Sequence, residues 1–308
     1  MTEMRYRVVK GGHTTTPPFG KGGLGGIPTP TSSSTLLNPP YPPFPKGGTD
    51  PVLEASGISH RYGTKEVLAD INFRIHPGEK VVLLGCNGSG KSTLLKILNG
   101  LIAPTAGSYR YQKEDITPAR LKAPDLHRRF RGEVALLFQN PDAMLFNPTV
   151  FDEIAFGPRQ MGFANLDERV RHWADQVGVT AHLERPPFSL SGGEKQKVCL
   201  AALLALEPKV LLLDEPTAAL DPRSTGWLVD FLSSLPITTL TTTHNLSLAP
   251  ELGSRALVLG EDHRLIHDGP IGALLTDMAR LTAANLVHTH HHRHGNIEHR
   301  HTHVHDWQ

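Results

Sequence analysis

The chain has few cysteines, no long apolar run and almost no net charge. Two cysteines in 308 residues, Cys86 and Cys199, exclude a disulfide framework. The longest uninterrupted apolar run, 198–206, is far shorter than the roughly 20 residues that cross a bilayer, so any membrane role would come through a partner. A formal net charge of +1 gives no general attraction to nucleic acid, and no nucleic-acid partner is expected. The amino terminus lacks the basic, apolar and small-residue order of a secretory signal, so the cytoplasm is the expected compartment.

Residues 1–50 are rich in glycine, proline, serine and threonine. The segment 17–23 recurs almost unchanged at 42–48, which marks low complexity and not a folded repeat. Such a composition cannot bury enough apolar surface to offset the entropy of ordering. We therefore predict a disordered extension without chemistry, either a functional arm or an overlong start, and a folded domain that begins near residue 51.

A phosphate cradle is predicted at residues 85–93. Apolar residues 81–84 predict a buried strand, the pattern G-x-x-x-x-G-K-S follows, and a helix begins directly after it. Glycines let backbone N–H groups turn inward, the helix dipole attracts phosphate, Lys91 adds a point charge, and the Ser92 hydroxyl suits Mg²⁺. The bare pattern also fits a glycine-rich turn, but the flanking strand and helix favour nucleotide. The residues expected to bind it are Gly85, Asn87, Gly88, Ser89, Gly90, Lys91, Ser92 and Thr93.

Polar residues follow three further predicted strands. Asp214 and Glu215 end the apolar run 210–213, Gln139 follows 134–138, and His244 follows 237–242. An aspartate that holds Mg²⁺ and a glutamate that polarises the attacking water fit the acidic pair, although a capped turn before Pro216 has the same pattern. Gln139 could bind Mg²⁺ or orient water. A lone histidine at a strand end is more often a satisfied polar group than a γ-phosphate contact.

The alternation of strands and helices predicts the fold class. It indicates an α/β P-loop NTPase core with a mainly parallel sheet, a ligand at the carboxyl ends of the strands, and an N-terminal antiparallel β subdomain from strands at 52–59 and 66–75. Residues 140–190 predict an inserted helical subdomain, in which Thr149 caps a helix that Gly157 and Pro158 end. A polar connection is predicted at 128–129.

The segment 190–196 reads Leu-Ser-Gly-Gly-Glu-Lys-Gln and places a second anion-binding helix N-terminus about a hundred residues after the first. With the cradle, the acidic pair, the turn 219–221 and His244 in this order, residues 52–276 resemble the ATP-binding cassette (ABC) ATPases. The resemblance implies a head-to-tail dimer with a second ABC ATPase subunit, identical or different. Each ATP would lie between residues 85–93 of one subunit and Ser191, Gly192 and Gly193 of the other.

The resemblance also implies individual roles, with ATP and Mg²⁺ as the ligands. Tyr62 would stack on adenine, although it also fits an ordinary turn tyrosine, and Asp221 would cross the dimer interface. Glu215 would be the catalytic base, and His244 would contact the γ-phosphate. Mg²⁺ would be bound by Ser92, Gln139 and Asp214, and Gln139 would also sense the nucleotide beside the membrane partner.

Within the family, residues 138–158 resemble the subunits that serve energy-coupling-factor importers for cobalt, nickel or vitamins. This implies transmembrane transporter subunits as partners and a place at the cytoplasmic face of the membrane. A partner helix would find an apolar groove at Met144, Leu145 and Phe146, unless these residues only pack the helical insert.

The segment 277–308 is predicted to be a histidine-rich tail. Imidazoles at this density bind Ni²⁺, Co²⁺, Zn²⁺ or Cu²⁺. A purification tag and compositional drift are the alternatives, and a flexible segment with overlapping ligand sets is expected. The candidate metal ligands are His288, His290, His291, His292, His294, His299, His301, His303 and His305.

The leading hypothesis is the ATP-hydrolysing subunit of an importer for a transition-metal ion, most plausibly cobalt or nickel. An importer for another small solute such as a vitamin, a soluble ABC ATPase outside transport, and a metal store in the tail are the alternatives. Twin cassettes or a long coiled-coil insert would favour the soluble ATPase, and the chain has neither.

Overall fold

The computed structural model describes residues 50–294 and 297–304, with side chains as far as Val287. The predicted disordered extension lies outside these residues except for Asp50. The strands are β1 Leu53–Tyr62, β2 Lys65–Ile75, β3 Lys80–Leu84, β4 Ala106–Tyr111, β5 Glu114–Asp115, β6 Val134–Leu137, β7 Val210–Leu213, β8 Thr238–Thr242, β9 Arg255–Leu259, β10 Leu265–Pro270, β11 Val287–His294 and β12 Ile297–Val304. The helices are α1 Lys91–Leu98, α2 Pro124–Glu133, α3 Val150–Gln160, α4 Leu166–Gln176, α5 Gly192–Leu204, α6 Pro222–Ser234, α7 Ala249–Leu252, α8 Ile271–Leu275 and α9 Met278–Ala283.

Residues 53–270 contain two β-sheets. The larger has the order β10-β9-β3-β8-β7-β6, and all of its neighbouring strands are parallel except β9 and β10. The smaller is antiparallel with the order β2-β1-β4-β5. Strands β3, β6 and β7 are nearly continuous apolar runs, as expected where both faces of a parallel sheet are covered. The predicted α/β class and antiparallel N-terminal sheet are confirmed.

The helical insert lies between β6 and α5. As predicted, the Thr149 hydroxyl caps α3 by accepting a hydrogen bond from the Asp152 amide at 3.1 Å. The predicted end at Gly157 and Pro158 is wrong, because α3 continues to Gln160 with Pro158 buried inside it. Gly157 lies so close to Leu206 that a Cβ there would be 3.0 Å from its side chain. Packing of α3 on this part of the chain therefore outweighs the hydrogen bond that proline cannot donate.

The predicted polar connection at 128–129 is also wrong, because these residues lie in α2. Its sequence has a negative mean hydropathy, yet Leu126 and Phe130 are buried four residues apart on one face. Phe130 packs edge to face on Tyr109 and Tyr111, with ring centroids 6.4 and 5.5 Å away. Two apolar residues are enough to seat this otherwise charged helix.

The packed core continues past residue 276, the predicted end of the domain. Leu281, Ala284, Leu286 and Val287 are all buried in the larger core cluster. The histidine-rich segment then forms the antiparallel hairpin β11–β12, where a flexible tail was expected. Among the described helices, none combines the length and apolar character needed to span a membrane.

Candidate functional site

The carboxyl ends of four neighbouring strands place the predicted polar residues along one edge of the larger sheet. Strands β3, β8, β7 and β6 lie side by side. The cradle follows β3, His244 follows β8, Asp214 and Glu215 follow β7, and Gln139 follows β6. The parallel sheet therefore gathers residues that lie more than 150 positions apart in the chain.

The cradle requires glycine at Gly85 and Gly90. A Cβ on Gly85 would lie 2.6 Å from the Ser89 hydroxyl and 2.8 Å from the Leu259 carbonyl oxygen, and φ is +154°. Gly90 has φ +110°, and a Cβ there would collide with the Val67 carbonyl oxygen. Gly90 also precedes α1 without a side-chain cap. The first amide groups of α1 therefore remain available to an anion.

Ser89 lies at the bottom of the cradle. Its hydroxyl oxygen is buried and has no hydrogen-bond partner among the described residues. Its carbonyl oxygen lies 3.3 Å from His263 Nδ1, a hydrogen-bond distance if Nδ1 carries the proton. The His263 carbonyl in turn accepts from the Ala69 amide at 2.9 Å. The turn between β9 and β10 thus joins the cradle to β2.

Lys91 links the cradle to the acidic pair. Its side chain is buried, and Nζ donates hydrogen bonds to the carbonyl oxygens of Gly85 at 2.8 Å and Cys86 at 3.1 Å. The same nitrogen lies 3.6 Å from Glu215 Oε1. The ammonium group therefore has its charge between the loop carbonyls and the Glu215 carboxylate.

Thr242 holds the two acidic residues together. Its hydroxyl donates to Asp214 Oδ1 at 2.9 Å and accepts from the Glu215 amide at 2.7 Å. Asp214 is only 6% exposed, and its amide donates to the Leu137 carbonyl at 2.9 Å. Glu215 adopts φ +44°, a conformation uncommon for a residue with a side chain. The orientation of the pair is therefore set by strands on both sides of β7.

Glu215 is held in its ionised form. A hydrogen bond with His244 Nδ1 at 3.1 Å lowers its pKa, burial opposes this, and the nearby Lys91 charge lowers it further. The net result is a Glu215 pKa below the usual glutamate range. A carboxylate at this position can accept a proton or a hydrogen bond from a polar ligand at neutral pH.

A cleft of about 710 Å³ gives access to this cluster. It is lined by Glu215 and His244, by the start of α6 and by the loop between β8 and α7. The His244 side chain is 38% exposed, whereas that of Glu215 is 11% exposed. Glu215 is thus largely shielded but lies beside an open cleft.

The N-terminus of α5 lies against α6. Ser191 and Glu194 form a capping box in which each side chain accepts from the other residue's amide. A Cβ on Gly193 would be 3.3 Å from the Ser224 hydroxyl, next to Asp221, which caps α6 by accepting from the Ser224 amide at 3.1 Å. Among the described residues, no hydrogen bond or ion pair joins 191–193 to the cradle. The start of α5 is therefore packed on the start of α6 in its own chain.

Two predicted residues, Tyr62 and Gln139, are exposed. Tyr62 ends β1 in the smaller sheet, is 51% exposed, and meets His60 edge to face with ring centroids 4.7 Å apart. Gln139 is exposed after β6 at the edge of the larger sheet. Within the cradle, Asn87 and Gly88 are exposed, whereas Ser92 and Thr93 are half-buried at the start of α1.

Comparison with known proteins gives the family. A model of the ABC transporter family matches residues 68–218. An ABC transporter ATP-binding protein of Methanosarcina acetivorans is 44% identical over 253 residues, covering 79% of this chain and 92% of the relative. The chain belongs to the ABC transporter ATPases.

Two further likenesses support this membership. An ABC transporter ATP-binding protein of Caldanaerobacter subterraneus subsp. tengcongensis is 42% identical, covering 77% of this ABC ATPase and 100% of the relative. The solved structure of cbiO1 from Clostridium perfringens, described as part of the ABC transporter complex cbiONQ, is 30% identical with a TM-score of 0.66. The structural match covers 77% of this chain and 95% of the cbiO1 chain. The predicted family and the ATP-hydrolysing activity are confirmed.

In this ABC ATPase, two residues of the site were not predicted from the sequence. Thr242 lies in a run of threonines at the end of β8, a weak signal for a polar function at a buried strand end. His263 lies 174 positions from Ser89, and the sequence contains no signal that relates them. Both were found only from the contacts that the folded chain makes.

Proposed function

We propose that this ABC ATPase is the ATP-hydrolysing subunit of an importer for a transition-metal ion, with cobalt and nickel as the first candidates. The contact of Lys91, Glu215 and His244 at the edge of the parallel sheet carries the hydrolytic part of the proposal. The metal part rests on the likeness to cbiO1, a component of the cbiONQ complex, and on the histidine-rich hairpin.

The cradle fits the phosphates of ATP. The buried Ser89 hydroxyl has no partner in the described part of the chain, and the start of α1 has no side-chain cap. The Ser89 hydroxyl and the first amide groups of α1 are therefore available to donate hydrogen bonds to phosphate oxygens. Ser92, Gln139 and Asp214 are oxygen-bearing residues suited to Mg²⁺, which would neutralise phosphate charge when bound. Tyr62, exposed at the end of β1, would stack on the adenine ring.

Glu215 acts on the water that attacks the γ-phosphate. As an ionised carboxylate beside the cleft, it accepts a hydrogen bond from that water and then its proton. His244 holds the carboxylate on one side and can reach a γ-phosphate oxygen from the exposed part of its ring. Lys91 would exchange its loop carbonyl partners for phosphate oxygens when ATP binds.

A second ABC ATPase subunit completes the site. Residues 191–193 lie against α6 and make no hydrogen bond or ion pair with the cradle of the same chain within the described residues, which supports a role toward an ATP held by another subunit. The exposed start of α5 offers amide groups and the positive end of its dipole to that phosphate. Asp221, at the neighbouring start of α6, would lie at the same interface.

The membrane partner would dock on the helical insert at the cytoplasmic face of the membrane. Phe146 is 67% exposed and packs edge to face on Phe156, with ring centroids 4.9 Å apart. The buried Glu153 carboxylate accepts from the amides of Phe146 at 2.9 Å and Asn147 at 2.8 Å, which orders this loop. Met144 and Leu145 pack partly against the core. The docking surface is therefore proposed to be the aromatic pair, instead of a groove formed by all three residues 144–146.

Metal uptake in cells of the source organism tests the function. Cells that lack this chain are complemented with wild-type, Glu215→Gln or Glu251→Gln protein, and cellular cobalt and nickel are measured by mass spectrometry. Glu251 lines the same cleft but belongs to α7 and serves as the matched control. We expect uptake with wild-type and Glu251→Gln protein and none with Glu215→Gln.

The other outcomes are equally informative. If wild-type protein restored vitamin uptake and left cellular cobalt and nickel unchanged, the transported solute would be a vitamin and not a metal ion. Uptake that survives Glu215→Gln would contradict coupling to hydrolysis at this site.

A further inference from the structure

The histidines of the carboxyl-terminal hairpin occupy directly opposed register positions. In the antiparallel pairing of β11 with β12, His288 lies opposite His303, His290 opposite His301, and His292 opposite His299. Three successive rungs of the ladder thus have histidine on both strands.

All three rungs belong to one face of the ladder. Alternate residues of a strand lie on the same face, and His288, His290 and His292 are spaced by two. His294 shares this face, opposite Ile297. His291 belongs to the other face, opposite Arg300, and His305 lies outside the described residues. The sequence alternation of histidine with other residues is therefore a strand pattern.

The other face favours this register. Val287 is opposite Val304, Thr289 opposite Thr302, and Arg293 opposite Glu298. β-branched pairs and opposite charges at facing positions stabilise antiparallel pairing, whereas a shift by one residue would disperse the histidine pairs. Val287 itself is 3% exposed in the core. The hairpin therefore begins at a fixed point of the folded domain.

We propose that this face of the hairpin, the histidine ladder, is a binding site for divalent transition-metal ions, each bound between directly opposed histidines. Facing residues in an antiparallel pair have Cβ atoms about 4.5–5.5 Å apart, within the span of two imidazoles that share one ion. Neighbouring rungs can supply third and fourth nitrogens. Neutral imidazole suits Ni²⁺, Co²⁺, Cu²⁺ and Zn²⁺, so the ladder would hold at most three such ions.

The ladder deepens the proposed metal-importer function and rests on it only for the choice of physiological ion. Among residues whose side chains the structure describes, no group of three or more histidine, cysteine or acidic side chains is placed to hold a metal. The ladder would be a transition-metal-binding region of this subunit, separate from the Mg²⁺ ligands proposed at the ATP site. It gives the importer a place where ions can be held next to the ATPase domain.

Metal titration of matched variants tests the ladder. The full-length protein is titrated with Ni²⁺ and with Zn²⁺ against a competing chelator at pH 7.5. His290→Ala removes one member of the central rung, whereas His291→Ala removes the adjacent imidazole on the other face. We expect His290→Ala to weaken binding about tenfold or more, because a two-ligand chelate becomes a single ligand. His291→Ala should bind like the wild type.

A permuted chain separates geometry from composition. His301→Thr combined with Thr302→His keeps every residue type but moves one imidazole to the face opposite Thr289. We expect this chain to bind metal as weakly as His290→Ala, because the central pair of opposed histidines is lost. Unchanged ATP hydrolysis would show that the domain is still folded. X-ray absorption of the Ni²⁺-loaded wild type should show at least two imidazole ligands.

Three results would overturn the ladder: equal losses in His290→Ala and His291→Ala, wild-type binding by the permuted chain, or full binding after removal of residues 288–308. The titration uses the isolated ATPase and no transport. Failure of the ladder is therefore distinguishable from failure of metal uptake in cells.

Discussion

Glu215 has a backbone conformation that few residues with a side chain adopt, and the surrounding contacts explain how it is maintained. Its amide is held by Thr242, and its two carboxylate oxygens face Lys91 and His244. Strain of this kind persists only where the neighbours over-determine the position. The result is a preorganised, ionised carboxylate beside an open cleft.

Replacing Glu215 by glutamine should lower the rate of ATP hydrolysis about a hundredfold or more, since a general base contributes about 10²–10⁴. ATP binding should persist, because the cradle and Lys91 are unchanged. Steady-state hydrolysis and equilibrium nucleotide binding measure the two effects. Glu251→Gln, in the same cleft, should hydrolyse ATP normally, and hydrolysis above a tenth of the wild-type rate in Glu215→Gln would contradict the assignment.

At the scale of single elements, strand β3 and helix α6 are joined by the half-buried charge of Lys80. Lys80 Nζ donates to the carbonyl oxygens of Leu232 at 3.1 Å and Leu235 at 2.7 Å. These carbonyls belong to the end of α6, where helical partners are missing and the dipole favours a cation. Burial nevertheless lowers the pKa of Lys80 to about 8. The ammonium group is therefore bound at a cost in desolvation.

This cost predicts a pH dependence of stability. The folded pKa of Lys80 lies below the unfolded value of about 10.4, so the unfolded chain binds more protons between these values. Stability attributable to Lys80 should therefore rise with pH across this window. From pH 8 to pH 10, the free energy of unfolding of the wild type should increase by between about 1 and 3 kcal/mol relative to that of Lys80→Met.

Urea unfolding of both proteins at the two pH values measures this gain. The exposed Lys122→Met variant is the control and should show no such change relative to the wild type. A pH-independent difference between the wild type and Lys80→Met would contradict the prediction.

At the scale of the whole molecule, the folded domain extends beyond His244, the last residue of the predicted ATP site, as far as Val287. Helices α8 and α9 follow the last strand of the larger sheet, and α9 and the residues after it complete the core. The hairpin starts at Val287, which is itself the last buried core residue among those whose side chains the structure describes. The residues proposed to bind ATP and the hairpin therefore belong to different parts of the chain.

Two truncations should distinguish these parts. Removal of residues 288–308 should leave the unfolding temperature and ATP hydrolysis close to those of the full chain. Removal of 277–308 also deletes the buried Leu281 and Leu286, each a loss of about 2–5 kcal/mol by analogy with large-to-small core substitutions. Thermal unfolding should show a large decrease for this second truncation only, and equal stability of the two would contradict a core that extends to Val287.

The composite site proposed above predicts complementation between two defective chains. Lys91→Ala damages the cradle, and Ser191→Arg blocks the start of α5, so each chain alone should lack hydrolysis. A mixture should form dimers in which one ATP site combines an intact cradle with an intact α5 start. Partial recovery of hydrolysis on mixing measures this. Full hydrolysis by a strictly monomeric preparation, checked by light scattering, would contradict the composite site.

Features that depend on contiguous residues could be predicted from the sequence alone. The cradle is recognisable because glycines, Lys91 and Ser92 act through local backbone geometry at the start of one helix. The cap of α3 at Thr149 and the helix start that follows Ser191 were predicted for the same reason, since a cap needs only the next three residues. The strand alternation in the histidine tail was also present in the sequence, although a flexible tail was predicted from its composition.

Features that depend on distant partners became visible only in the folded chain. Thr242 reaches Asp214 across 28 positions, and His263 reaches Ser89 across 174. Helix α3 continues through Pro158 because of what packs beside it. The opposed pairs of the histidine ladder depend on a strand register. Hydrogen bonds within one turn are encoded by neighbours in sequence, whereas packing and register are set by the sum of long-range contacts, which no local pattern contains.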